Sequence, residues 1–168
     1  MKKIALLIEN MFDERELIFP YYRMLEEGYT VDLIGTDENE VYHGKHGVPF
    51  KSDKASKDIS ADDYDALIIP GGFSPDYMRR SKETIDFARQ MNEQDKPIAA
   101  ICHGPWVMVS SCDVKGRKMT GYPSIKDDIN HAGATYVDKE VVKDGNLITS
   151  RNPNDLPAFV KTIIEALK

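Results

Sequence analysis

The chain has 168 residues, 41% of them hydrophobic and 30% charged, with a formal net charge of -6. That length and balance fit one globular domain over residues 1–168, and the acidic excess argues against nucleic acid or an anionic membrane as main partner. No apolar run has the length of a membrane span, and the two cysteines, Cys102 and Cys112, form no CxxC, which suits a reducing cytoplasm without a disulfide framework.

In chain order, KIALLI at residues 3–8, an unbroken apolar run after Lys3, predicts a strand buried on both faces. The basic start before it lacks a cleavage site of small residues, so this stretch is a first strand rather than a secretory signal. A helix follows to about Glu27, with Leu17, Tyr21, Met24 and Leu25 on one face. Glu14 and Glu16 sit in its first turn, and Gly28 ends it. Residues 29–34 make a second strand, and the polar segment 37–60 short irregular strands. DALIIP at 65–70 is a third buried strand, ending in Gly71-Gly72. Ser81 caps a helix to about Gln94. Ile98–Ile101 form another buried strand, and Gly104-Pro105 open a helix.

Met119–Tyr122 predict a short strand, and Ser124 the cap of a helix through His131. Residues 137–150 read as two strands around Asp144-Gly145, a hairpin turn. Asp155 caps a last helix with apolar residues in register from Leu156 to Leu167. Alternating strands and helices predict a doubly wound α/β sandwich with a mostly parallel sheet. In such sheets the loops at the strands' carboxyl ends build the site. Here those loops are 9–14, 70–76 and 101–104.

The last of these loops carries the chemistry. Cys102, followed by His103, stands on the bend between a buried strand and a helix, as in a nucleophile elbow. The helix N-terminus beyond is expected to lower the thiol pKa. The four histidines show no HxxxH or HExxH spacing, so no metal site is read, and no cofactor is implied. Gly71 and Gly72 offer bare backbone N–H groups for an oxyanion hole. No GxGxxG opens a helix, which removes a dinucleotide role.

The segments LIFPYYRMLEEGY (17–29), GKHG (44–47), DYDALIIPGGFSPDYMR (63–79), AICHGPW (100–106), GRKMTGYPSIKDDI (116–129) and EVVKDGNLITSRNPNDLPAF (140–159) resemble, in this order, the PfpI-like intracellular proteases of the ThiJ/PfpI superfamily. The resemblance implies a flavodoxin-like sandwich, related to class I glutamine amidotransferases, and a Cys102–His103 dyad. It implies homodimers or hexamers in which a neighbouring subunit supplies the third triad member, here Asp76. It places a second acid, at Asp13, near the sulfur, with Phe12 before it, and Tyr122 near the thiol. Both acids are usually glutamates in the family, so each is one methylene, about 1.5 Å, shorter here.

Three functions follow. A cysteine hydrolase would cleave peptide bonds, with Gly72 and His103 amides holding the oxyanion. The same thiol on an aldehyde gives a cofactor-independent glyoxalase or deglycase acting on methylglyoxal or its adducts. Oxidation of Cys102 without turnover would make a redox-sensing stress protein.

Overall fold

A computed structural model describes residues 1–168. The strands are β1 (Lys3–Leu7), β2 (Thr30–Gly35), β3 (Val41–His43), β4 (Pro49–Lys51), β5 (Lys54–Ala55), β6 (Ala66–Ile69), β7 (Ile98–Ile101), β8 (Lys118–Met119), β9 (Thr135–Tyr136), β10 (Val142–Asp144) and β11 (Leu147–Ser150). The helices are α1 (Glu14–Glu26), α2 (Ser74–Arg79), α3 (Lys82–Glu93), α4 (Pro105–Ser111), α5 (Lys126–His131) and α6 (Leu156–Leu167).

Seven strands form one sheet in the order β10-β11-β7-β6-β1-β2-β5. Every neighbouring pair is parallel except the β10–β11 hairpin at one edge. Because side chains alternate along a strand, an all-apolar strand feeds two cores at once. Ala5, Leu7, Leu67, Ile69, Ile98 and Ala100 face a core closed by α2, α3, α4 and α5. Ile4, Leu6, Ala66, Ile68, Ala99 and Ile101 face the other, closed by α1 and α6. This is the flavodoxin-like sandwich expected from the sequence. No helix is long and apolar enough to cross a membrane.

Several boundaries follow the chemistry read from the chain. Gly28, at φ +84°, ends α1 in the left-handed conformation that only glycine adopts without strain. The Ser81 side chain accepts from the Thr84 amide at the start of α3. Other expectations need correction. Residues 74–79 form the short helix α2 rather than a loop, nucleated by Pro75 in its first turn. Ser124 lies in a 3-10 turn (Pro123–Ile125) and its side chain caps nothing. The Asp155 carboxylate accepts from the Arg151 guanidinium and amide instead of capping α6.

Candidate active site

The strand order reverses around β1, with β2 on one side and β6 on the other. The loops leaving β1, β6 and β7 therefore meet at the carboxyl edge, where open α/β sheets place their sites. Each loop holds one residue in the left-handed region: Met11 (φ 67°), Gly72 (φ 68°) and Cys102 (φ 62°). For Met11 and Cys102 that backbone is strained, and strain of this kind clusters at functional positions.

Cys102 is the elbow residue. Its amide donates to Ser150 O (3.0 Å) and its carbonyl accepts from Tyr122 N (2.8 Å), so backbone fixes it on both sides. Its thiol is largely buried, with Sγ 3.3 Å from His103 Nδ1. His103 Nε2 lies 3.3 Å from Ser124 Oγ. The imidazole is stacked on Tyr122 at 4.9 Å and meets the edge of Trp106 at 5.0 Å. Four groups thus set the ring's plane and position. Tyr122 covers one face of the imidazole.

The acid beside the thiol is Glu16. Its Oε1 accepts from the Gly71 amide (3.1 Å), and its Oε2 is buried with no partner. A Cβ placed on Gly71 would lie 2.6 Å from Glu16 Oε1 and 2.7 Å from Cys102 Cβ. The two side chains face one another across that glycine. Burial, reinforced by the Asp13 charge, pushes the Glu16 carboxyl up to about 8. Burial and then the Glu16 charge push the Cys102 thiol up to about 12, against the opposing pull of the Gly72 and His103 amides. The low thiol pKa expected from the helix N-terminus is thus overridden by burial. Two adjacent anions repel, so ionisation of Glu16 makes ionisation of Cys102 harder, and the two titrations are coupled.

Three sequence assignments change place. Asp13 does not face the sulfur: it caps α1, accepting from Arg15 N, and binds Arg15 and Lys45. Burial opposes its ionisation, but hydrogen bonds from Arg15 and Lys45 prevail and hold it down at about 2. Phe12 is fully buried in the core, edge-on to Phe50. The Gly71 amide is taken by Glu16, so the amides left for an oxyanion are those of Gly72 and His103. Asp76 sits on α2 and binds Arg80 (2.5 Å), making no hydrogen bond to its own His103. A concavity of about 650 Å³ along the outer face of α1 is lined at one end by Glu14 and Arg15, and Cys102 is not among its lining residues.

The sequence carries a partial signal for Glu16, its place on an inward stripe of the helix, but not its approach to the thiol. Glu16, Pro20 and Met24 recur at four-residue spacing and form a buried stripe of α1. The acid occupies a core position at the helix end nearest the elbow.

The family model described as "DJ-1/PfpI family" matches residues 2–166. "Deglycase PfpI" of Pyrococcus furiosus is 43% identical over 166 residues, covering 99% of each chain. "Putative cysteine protease YraA" of Bacillus subtilis is 45% identical over 167 residues, again covering 99% of each. Among solved structures, a two-domain protein from Anabaena variabilis with DJ-1/ThiJ/PfpI-like and ferritin-like domains superposes with a TM-score of 0.97 at 40% identity. The match covers 99% of this chain and 48% of that one. Drosophila melanogaster DJ-1beta superposes with a TM-score of 0.92 at 31% identity, covering 99% and 90%.

Proposed function

The chain belongs to the DJ-1/PfpI family, and from that premise we propose that it is a cysteine-dependent enzyme of the hydrolase/deglycase type acting on small carbonyl compounds and their amine adducts. One observation carries the choice: a buried carboxyl that keeps its proton near neutral pH faces the Cys102 thiol. Such a group can hand a proton to a leaving amine and take one back, which is general acid–base work.

The steps follow from the residues. His103, whose pKa burial and then Lys45 lower, is neutral near pH 7 and accepts the thiol proton at Nδ1. Sγ displaces the amine at the carbinol carbon of the adduct, the C–S bond forming as the C–N bond breaks and Glu16 protonates the departing amine. The hemithioacetal so formed gives its carbon-bound proton to the Glu16 carboxylate. Return of that proton to the adjacent carbon, through an enediol, leaves a thioester of a 2-hydroxy acid. Water cleaves the thioester, releasing lactate when the carbonyl is methylglyoxal, and restoring the thiol. The Gly72 and His103 amides hold the negative oxygen that develops in the enediolate and when water adds to the thioester. No metal or cofactor is needed in these steps.

Peptide hydrolysis is the second reading, favoured by the placement of Asp76. Asp76 is a third exposed and bound to Arg80, where it would meet a second copy's His103 in a homodimer or hexamer. Both cysteines are free thiols, which suits the reducing cytoplasm.

The test is parallel turnover of a methylglyoxal–amine adduct, methylglyoxal and casein by wild type and Cys102→Ala. Lactate formation that falls by about 10³-fold or more in Cys102→Ala is expected. Cleavage of casein alone would transfer the assignment to the second reading. Equal rates in both proteins would refute both. For the second reading, mixed and reassembled Cys102→Ala and Asp76→Asn chains should regain peptide cleavage. No recovery in mixed oligomers would remove Asp76 from the site.

A further inference from the structure

We propose that Arg15 and Lys45 form an anion-selecting rim at the Cys102 site, so that the preferred substrate carries a carboxylate or phosphate beside its reactive carbonyl. This rests on the carbonyl chemistry proposed above and narrows its substrate class.

The rim is built by backbone contacts. The β3–β4 hairpin tip is pinned to the loop after β1, where Lys45 N donates to Phe12 O (2.9 Å). That loop packs on the glycine pair, with Asp13 N donating to Gly71 O (3.4 Å) and Gly72 lying against Met11 and Asp13 backbone atoms. Gly72 is also the residue whose amide faces the sulfur. Asp13 is therefore next to the site, and its carboxylate holds two cations at once. Oδ2 accepts from Lys45 Nζ (2.7 Å) and Arg15 Nη2 (2.9 Å), while Oδ1 accepts from Arg15 Nε (3.1 Å).

Exposure decides what a solute meets. The Asp13 side chain is 3% exposed, but Arg15 is 62% and Lys45 34% exposed. Glu14, the other acid of this turn, is 12% exposed and engaged by the hairpin, accepting from His46 N (2.7 Å) and facing His46 Nδ1 (3.1 Å). Glu16 keeps its proton near neutral pH. The anions are buried and the cations reach solvent. On a chain of net charge -6, this rim opposes the overall field and gives an anion a local reason to settle there. Lys45 is also close enough to contribute to the lowered pKa of His103.

The experiment compares alkylation of Cys102 by iodoacetate and by iodoacetamide at one fixed pH, read by peptide mass spectrometry. The two reagents differ in charge, and their rate ratio cancels any change in thiolate fraction. Lys45→Met and, separately, Arg15→Gln should each lower the iodoacetate-to-iodoacetamide ratio about 3-fold or more. Added salt should bring the wild-type ratio down towards theirs. Lys45→Arg should keep the wild-type ratio, which separates charge from fold. An unchanged ratio in both neutralised variants, or a wild-type ratio insensitive to salt, would overturn the rim. A lowered ratio with no turnover of glyoxylate or methylglyoxal would keep the rim and refute the proposed chemistry instead.

Discussion

Glu16→Gln is expected to make the protein more stable above neutral pH while lowering turnover by about 10²-fold or more. The stability effect follows from proton linkage. In the unfolded chain Glu16 ionises near 4.5, whereas burial raises it to about 8 in the fold. Between those values the folded state holds a proton that the unfolded state has lost. Stability therefore falls as pH rises through this window, and the loss is complete above the folded pKa. Glutamine keeps the bond from the Gly71 amide without an ionisable group. The variant should exceed wild type by roughly 3–5 kcal/mol at about pH 9, or roughly 10 °C in melting temperature, and by almost nothing near pH 4. Denaturant unfolding across pH checks this. A gap independent of pH would mean that Glu16 is not a buried acid with a raised pKa.

Gly72→Ala should impair both fold and chemistry. Gly72 adopts φ +68°, and a Cβ there would fall on the Met11 carbonyl oxygen and 2.5 Å from Asp13 N. Both obstacles are backbone and cannot swing away. Moving this loop also displaces the amide that faces Sγ. We expect a loss of about 3 kcal/mol or more of stability. In folded protein, turnover should fall by about 10²–10³-fold, the range for a lost oxyanion donor. Gly28→Ala is the control: it has the same sign of φ (+84°) but open space around the added carbon. It should lose stability with little change in turnover. Equal turnover in the two variants would remove the Gly72 amide from the site.

The fold was legible where the local chemistry has one meaning. Unbroken apolar runs at 4–8, 66–69 and 98–101 can only be buried on both sides, and Ser81 and Gly28 mark helix ends by familiar caps. The elbow was legible because strand, Cys102, His103, glycine and proline stand in direct succession. The acid was not. Asp13 and Glu16 have the spacing of a helix cap and its first-turn partner, and sequence alone does not say which carboxyl enters the core. Tertiary packing decides: the Arg15 and Lys45 cations hold the buried Asp13 carboxylate at the α1 cap, while the Gly71 amide draws Glu16 towards the thiol. Asp76 was read on an open loop because Gly71-Gly72 signals a turn. The helix α2 that follows depends on burying Ser74, Pro75 and Met78 against the rest of the protein. Phe12 illustrates the same limit, since an aromatic next to a site residue can equally serve the core beneath it.

The most direct test of the coupling between Glu16 and Cys102 is the ultraviolet absorbance of the Cys102 thiolate, titrated with pH in wild type and Glu16→Gln, with Cys102→Ala as blank. The Glu16 carboxylate raises the thiol pKa in the native protein, so the glutamine variant should form its thiolate at lower pH even as its turnover declines. Superimposable titrations of the two proteins would contradict the account.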